Sequence, residues 1–114
     1  AFVSEGDVSF YSTFTYLAQT LQQVYPQAQV EIVPGICSPL AAAAALGIPL
    51  TRGSDRLAIL PALYTVAELN EVLGWADVVV LLKVSSVYRQ VWDILEAAGL
   101  LNQSYIVERA TTST

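Results

Sequence analysis

An uninterrupted run of valine and leucine at residues 78–82 constrains the fold more than any other feature of this sequence. A strand with one solvated face alternates apolar and polar residues, whereas a continuous apolar run is typical of a strand covered on both faces. We therefore predict a buried strand over residues 78–84. Segments with helical periodicity precede and follow it, which predicts an α/β fold built from layers of helix and sheet.

Strands and helices alternate along the rest of the chain. Apolar residues recur with helical spacing between residues 9 and 25, and Pro26 ends that segment. The alanine-rich residues 38–46 predict a second helix, which Gly47 ends. The predicted strands are residues 1–3, 28–33, 57–60, 78–84 and 105–107. The predicted helices are residues 9–25, 38–46, 65–75 and 85–98.

Capping residues are predicted at the start of the later helices. Thr65 and Glu68 have the spacing of a capping box, in which two side chains bind backbone N–H groups at a helix start. Ser85 or Ser86 is the predicted cap of the last helix, and Gly99 its end.

A domain boundary is predicted within residues 48–56. Pro49, Gly53, Ser54 and Asp55 make this stretch rich in residues that form turns. We therefore assign residues 1–53 to one α/β domain and residues 54–114 to a second.

The composition excludes several classes of protein. With 54% hydrophobic and 13% charged residues, the chain is not a disordered tail. A net charge of -5 argues against a nucleic-acid partner. Residues 36–50, the longest apolar stretch, are interrupted by proline and glycine, so we predict no membrane span. No charged segment precedes a cleavage site, so we predict no secretory signal.

Histidine and methionine are absent and cysteine occurs once, which limits the reactions and the metal sites that the chain can support. The sequence has no histidine, which excludes Ser-His-Asp and Cys-His nucleophile schemes and histidine metal sites, and we expect no metal. The single cysteine, Cys37, cannot form an internal disulfide and is typical of a reducing cytoplasm. The sequence has no methionine and begins in a strand-like segment, so we expect an internal piece of a longer protein.

Two glycine turns each follow an extended apolar segment and lead into a helix-like one. The first is Glu5-Gly6-Asp7, and the second is the sequence PGICSP at residues 34–39. Open α/β sheets bind ligands at the carboxyl ends of their strands, where such turns lie. The two turns are therefore the predicted candidate site.

Each turn also has a purely structural interpretation. Asp7 is a good N-cap for the helix predicted after it, and its position alone favours that role over a catalytic one. Ser38 is likewise a predicted N-cap, with Pro39 in the first helical turn. Cys37 at a helix start is a candidate reactive thiol, but no histidine is available to activate it, which favours a small buried residue.

Lys83 is the most unusual charge, because it ends the apolar run. It is a solvated strand end, the ion-pair partner of Asp77 or Glu108, or a cation aimed at a ligand carboxylate, and the sequence leaves these alternatives open. Arg109, after the predicted strand at residues 105–107, has the same alternatives.

Four segments occur in a characteristic order along the chain. They are GDVSFYSTF at residues 6–14, PGICSP at residues 34–39 with the alanine-rich stretch to residue 50, ADVVVLLKVS at residues 76–85, and VERAT at residues 107–111. In this order and spacing they resemble the tetrapyrrole methylase family, and within it the branch that methylates precorrin-2 at C(20) in cobalamin biosynthesis.

The resemblance implies which residues form the site. The family has two α/β domains with S-adenosyl-L-methionine bound between them, and residues 1–53 and 54–114 correspond to the later part of the first and the earlier part of the second. The family's Gly-Asp-Pro turn corresponds to residues 6–8, with Val8 in place of proline. The residues that the resemblance places at the cofactor are Glu5, Gly6, Asp7, Phe10, Cys37, Ser38 and Ala110. Asp7 and Lys83 are the candidate catalytic residues.

The resemblance also implies a function. It predicts an S-adenosyl-L-methionine-dependent methyltransferase that acts on precorrin-2, or on cobalt-factor II, at the C(20) meso carbon. The alternatives are a family member with a different acceptor and a catalytically silent α/β module. The family further implies a homodimer with a tetrapyrrole substrate. Together with the composition above, this predicts a cytoplasmic protein without a nucleic-acid or membrane partner.

The spatial expectation is specific. The turns at Asp7 and Ser38 should lie side by side and form one wall of a crevice that faces Lys83 and Ala110. The family's first strand and its loop rich in glycine and proline would precede Ala1, and the end of the second domain would follow Thr114.

Overall fold

The computed structural model describes residues 2–110, except the side chains of residues 62 and 63. Helices and a small parallel sheet make up the described part, which confirms the predicted α/β class. In chain order the elements are α1 (Phe14–Val24), α2 (Ser38–Leu46), β1 (Leu57–Leu60), α3 (Ala62–Leu73), β2 (Val78–Leu81), a 3-10 turn (Ser85–Val87), α4 (Tyr88–Ala97) and a second 3-10 turn (Leu101–Gln103).

The sheet consists of β1 and β2, which run parallel. Leu57 lies opposite Val78, and Leu60 lies opposite Leu81. The N–H of Leu82 also donates to the carbonyl oxygen of Leu60 at 3.0 Å, which continues the pairing by one residue. Because parallel strands need a crossover, α3 connects the two.

The two strands match the sequence predictions to different degrees. β1 has the predicted bounds, whereas β2 ends at Leu81 instead of residue 84. Lys83 has a φ of 54°, in the left-handed region that an extended strand does not adopt. The apolar run therefore predicted where the strand lies but not where it ends, and its residues are half-buried rather than fully covered.

The core lies between the sheet, α3 and α4. Its buried members are Ala58, Leu60, Leu69, Val72 and Val91. From α4, Ile94 and Leu95 pack against this cluster, as the apolar periodicity of that helix predicts. Fully burying one leucine side chain stabilises a fold by about 1.5–3 kcal/mol. Burial of this cluster is therefore a main source of stability for residues 57–100.

The predicted capping box at Thr65 and Glu68 is wrong. α3 begins at Ala62, so Thr65 lies within the helix, is fully buried, and donates its hydroxyl to the carbonyl oxygen of Pro61 at 3.2 Å. Pro61 is the N-cap, with the extended ψ of 157° that a helix start requires. The threonine therefore bonds back to the preceding turn instead of capping the helix.

Three predicted strands are not present in the described residues. Residues 2–3, 28–33 and 105–107 are in no strand, and residue 1 lies outside the described part. A strand requires a hydrogen-bonded neighbour, and an apolar pattern does not specify one. In the described residues only β1 and β2 pair.

The helices of the first half differ from prediction at their starts. α1 begins at Phe14 rather than at residue 9, because Tyr11 has a φ of 50° that a right-handed helix excludes. α2 has the predicted bounds, although its N-cap is Cys37 and Ser38 is its first residue. Gly47 ends it in the left-handed conformation, with a φ of 69°.

The last helix also begins differently. The 3-10 turn at Ser85–Val87 precedes α4, and the N-cap of neither segment makes a side-chain capping bond. Gly99 follows the helix with a φ of 71° and donates its N–H to the carbonyl oxygen of Glu96 at 3.0 Å, as predicted for a helix end.

Between α2 and β1, residues 47–56 contain neither helix nor strand. Arg52 and Asp55 close a turn there, since the Arg52 N–H donates to the Asp55 carboxylate at 3.0 Å. The division into domains at residue 53 stays a prediction. Within residues 2–110, no helix has the length and apolarity to cross a bilayer.

Candidate functional site

The two glycine turns pack against each other through their backbones. Gly6 has a φ of 74° in the first turn, and a Cβ on it would lie 3.4 Å from the carbonyl oxygen of Ile36 in the second. A Cβ on Gly35 would lie far inside van der Waals contact with the carbonyl oxygen of Gly6. Glycine is therefore required at residue 35 for this approach, whereas at residue 6 the left-handed φ favours it.

The Asp7 carboxylate joins the two turns. Its Oδ2 accepts a hydrogen bond from the N–H of Gly35 at 2.9 Å. Its Oδ1 accepts the N–H of Ser9 at 2.8 Å and also the Ser9 hydroxyl. The predicted N-cap role of Asp7 is wrong, because α1 begins only at Phe14 and Asp7 caps no helix.

These hydrogen bonds determine the protonation of Asp7. The Ser9 hydroxyl, the Gly35 N–H and the Ser9 N–H all stabilise the carboxylate and hold the pKa of Asp7 below its ordinary value of 3.8. Asp7 is therefore an anion at neutral pH and a weaker proton acceptor than an ordinary aspartate. The geometry is better suited to holding a position than to removing a proton.

The second turn leads into the N-terminus of α2. Its N-cap, Cys37, has an extended backbone and makes no side-chain capping bond, and its carbonyl oxygen accepts the N–H of Ala41 at 3.0 Å. The first N–H groups of a helix have no partner within it, so the N–H groups of Ser38 and Leu40 are left without one in α2. Cys37 is half-buried rather than buried as the structural interpretation predicted.

Lys83 lies at the carboxyl end of β2, as predicted, and is exposed. The predicted ion pair with Asp77 is wrong, because Asp77 pairs with Arg56 at 3.2 Å. No ion pair joins Lys83 to Glu108 in the part of the chain described. Of the alternatives from the sequence, the solvated strand end and the cation for a ligand remain.

Arg56 and Lys83 lie at opposite edges of the sheet. Arg56 and Asp77 precede β1 and β2, and the Arg56 N–H also donates to the Asp77 carboxylate, at 2.8 Å. That pair therefore holds the amino ends of the strands together, whereas Lys83 lies at their carboxyl ends. Arg56 is not positioned to add to the charge of Lys83.

Three residues with positive φ were not foreseen from the sequence. Among residues 2–110 these non-glycine positions are Tyr11, Lys83 and Arg109, with φ values of 50°, 54° and 50°. Such conformations are uncommon for large side chains and are concentrated at functional sites. Lys83 is a predicted site residue, and the other two are next to the predicted residues Phe10 and Ala110.

The structure brings some of the predicted residues together and leaves others untested. Gly6 and Asp7 meet the turn that contains Cys37 and Ser38. Within residues 2–110, Lys83 makes no side-chain hydrogen bond to these turns, and Ala110 is half-buried at the end of that part. Two shallow surface concavities, at Val24–Gln27 and around Asn102, include none of these residues. The single crevice stays a prediction.

A model of the family described as Tetrapyrrole (Corrin/Porphyrin) Methylases matches residues 1–114. The chain belongs to this family. The resemblance carried by the four sequence segments is thereby confirmed, and so is the α/β class of the fold.

Curated relatives of this tetrapyrrole methylase match it along nearly its whole length. Cobalamin biosynthesis protein CobIJ of Mycobacterium tuberculosis (strain ATCC 25618 / H37Rv) is 39% identical over 113 residues, which are 99% of this chain. The precorrin-2 C(20)-methyltransferase of Sinorhizobium sp is 35% identical over 111 residues, or 97% of this chain. The cobalt-precorrin-2 C(20)-methyltransferase of Salmonella typhimurium (strain LT2) is 33% identical over 110 residues, or 96%.

The matched regions are only part of each relative. They cover 22% of the mycobacterial protein, 44% of the Sinorhizobium protein and 45% of the Salmonella protein. The chain therefore spans less than half the length of these curated relatives.

Proposed function

We propose that this protein is an S-adenosyl-L-methionine-dependent methyltransferase of cobalamin biosynthesis that acts on precorrin-2, or on cobalt-factor II, at the C(20) meso carbon. The observation that carries the proposal is the alignment of nearly the whole chain with relatives named for this position on precorrin-2 and cobalt-precorrin-2. Membership of the tetrapyrrole methylase family, rather than any single residue, supports methyl transfer as the reaction.

The two packed turns fit a methyl donor of this kind. Gly6 and Gly35 let the two turns pack closely, and beside them the start of α2 presents N–H groups that no side chain caps. Backbone donors and acceptors of this kind suit the polar edges of a nucleoside and an amino-acid group. The residues proposed to hold the donor are Glu5, Gly6, Asp7, Phe10, Cys37, Ser38 and Ala110.

When bound, S-adenosyl-L-methionine supplies an electrophilic methyl group on its sulfonium. The main task of the chain's own residues is then to align the ring carbon with that methyl group and to exclude water. Transfer of the methyl group to the ring carbon would break its bond to sulfur and leave S-adenosyl-homocysteine, and the ring carbon would also have to lose a proton. We propose that Asp7 and Lys83 orient the substrate or assist that proton transfer, with the lowered pKa of Asp7 favouring orientation.

Lys83 is the residue proposed to meet a substrate carboxylate. Its side chain is exposed at the carboxyl end of β2, on a backbone held at a φ of 54°. The substrate carries many carboxylates, whereas the chain has a net charge of -5, so a local cation is needed where the substrate binds.

An assay of the full-length protein tests the proposal. Incubation with methyl-labelled S-adenosyl-L-methionine and either precorrin-2 or cobalt-factor II should give a product labelled at C(20), which NMR assigns. Label at another ring position, or only in a different acceptor, would instead support the alternative family member. Calorimetry with S-adenosyl-homocysteine that shows no heat and no thermal shift would support the silent module.

The assembly is also a proposal from the family, and the location is one from the single cysteine. We propose a cytoplasmic homodimer. Light scattering of the full-length protein during size exclusion should give twice the mass of one chain, and a monomer mass would contradict the dimer.

A further inference from the structure

We infer that Asp7 is a positioning residue that acts through Gly35, by clamping the two glycine turns at a fixed separation. The inference rests on the proposed function, since it concerns how the cofactor site is held. It replaces the direct role proposed above for the Asp7 side chain, because both carboxylate oxygens already accept hydrogen bonds from the protein. The contact proposed between residue 7 and the methyl donor is then made by the backbone.

The first support is the geometry of the hydrogen bonds. Oδ2 accepts from Gly35, which is distant in sequence, while Oδ1 accepts from both donors of Ser9. Ser9 therefore fixes the orientation of the carboxylate within its own turn, and the other oxygen reaches across to the second turn. We name this arrangement, formed by Asp7, Ser9 and Gly35, the turn clamp.

The second support is the close approach of the backbones. A Cβ on Gly35 would overlap the carbonyl oxygen of Gly6. At this contact the two turns meet through backbone alone, and neither glycine has a side chain that could hold them together. In the described residues, the link that crosses from one turn to the other through a side chain is the Asp7 carboxylate.

The third support is the position of the clamp in the chain. Gly35 precedes Cys37 and Ser38 at the start of α2, and Asp7 follows Glu5 and Gly6 in the first turn. The clamp thus connects the two groups of residues that the family resemblance places at the cofactor. A change in the separation of the turns changes the alignment of backbone groups on both sides of a bound ligand.

The test uses full-length protein and the variant Asp7→Asn, which keeps the size of the side chain. One amide oxygen cannot accept from both turns, so we expect the affinities for S-adenosyl-L-methionine and for S-adenosyl-homocysteine to fall by a similar factor of about 3 to 10. The matched control is Asp55→Asn, because Asp55 also accepts a backbone N–H, from Arg52, but within one local turn. It should bind both ligands as the wild type does.

The pair of ligands separates positioning from direct contact. S-adenosyl-L-methionine carries a sulfonium charge that S-adenosyl-homocysteine lacks. If Asp7 acts on the ligand through its charge, Asp7→Asn weakens the first ligand much more than the second, and that result overturns the inference. Equal affinities in Asp7→Asn and wild type overturn it as well.

A measurement without ligand keeps the inference distinct from the proposed function. Amide hydrogen exchange at Gly35 should be faster in Asp7→Asn than in wild type, and unchanged in Asp55→Asn. If the wild type binds neither ligand but Gly35 shows this change, the methyltransferase proposal fails and the clamp remains. If Gly35 exchanges equally in both proteins, the clamp fails whatever the wild type binds.

Discussion

Both halves of the described chain contain apolar strand-like and helical segments, but they pack them differently. In residues 57–100, the sheet, α3 and α4 share a core in which Leu69 is 1% exposed. In residues 2–53, Val3 is 90% exposed, Val33 82% and Tyr16 72%. The buried residues there are Pro39 and Ala43 of α2.

The difference shows what a strand-like pattern needs in order to become a strand. β1 finds a parallel partner in β2 because α3 provides the crossover and covers the sheet. Residues 28–33 also have a strand-like pattern, in which apolar and polar residues alternate, but they pair with no described segment. An isolated extended segment gains neither ladder hydrogen bonds nor a buried face, so periodicity alone does not stabilise it.

The largest loss of stability is expected at the most deeply buried apolar side chain of the core, Leu69. Leu69→Ala should lower the free energy of unfolding by about 2–5 kcal/mol, because it leaves a cavity between α3 and the sheet. Leu17→Ala in α1, where the leucine is 47% exposed, is the matched change in the other half and should cost less than about 1 kcal/mol. Urea denaturation of both variants measures this, and equal losses would show that the halves do not differ in packing.

The next effect is expected at the contact between the glycine turns. Gly35→Ala places a Cβ against the backbone of Gly6, which cannot yield as a flexible side chain can, and should destabilise that contact by about 1–3 kcal/mol. Calorimetry with S-adenosyl-homocysteine should therefore show weaker binding. Gly74→Ala is the control, because its Cβ would lie 3.2 Å from the carbonyl oxygen of Glu71, a milder approach that lies outside both turns. Similar binding by both variants would contradict the prediction.

A smaller effect is expected from a buried hydroxyl. Thr65→Val keeps the shape of the side chain but removes its hydrogen bond to Pro61, and should cost about 0.5–1.5 kcal/mol in thermal unfolding. Thr13→Val at the start of α1 is the matched change in the first half. Thr13 is exposed and its side chain makes no capping bond, so its replacement should leave the melting temperature unchanged. A comparable fall in melting temperature for Thr13→Val would contradict this prediction, because it would require a stabilising contact at Thr13 that the structure does not show.

The smallest effect is expected from a surface ion pair. The Arg56 N–H and the Arg56 guanidinium hold the pKa of Asp77 below its ordinary value of 3.8. The folded value is lower than the unfolded one, so this stabilisation is present above pH 3.8 and is lost as pH falls through the folded value. Asp77→Asn should therefore lower stability slightly at pH 7, and the difference from wild type should disappear under strongly acidic conditions.

Denaturant titrations of Asp77→Asn and wild type across this pH range provide the measurement. Asp93→Asn is the control, since the Arg89–Asp93 pair is even more exposed and should contribute almost nothing. A difference for Asp77→Asn that persists or grows in acid would show that the hydrogen bonds from Arg56 do not stabilise its charged form.

The sequence by itself predicted the elements whose formation depends mainly on local chemistry. The alanine-rich segment gives α2 with its predicted bounds, and Gly47 ends it, because helix propensity and a left-handed C-terminal glycine act within a few residues. The strand β1 and the position of β2 also follow from their apolar patterns. The order of four segments along the chain was enough to predict the family.

The tertiary structure alone decided which extended segments pair and what Asp7 does. As a sequence feature, Asp7 is a standard helix cap, yet in the fold its carboxylate accepts the N–H of Gly35, a residue in a different turn. Likewise, Lys83, two residues after the end of β2, has a left-handed backbone that the sequence pattern did not predict. The pairing of the strands and the bond from Gly35 to Asp7 depend on contacts between segments distant in sequence. The energies of those contacts are not encoded in the periodicity or capping preferences of either segment.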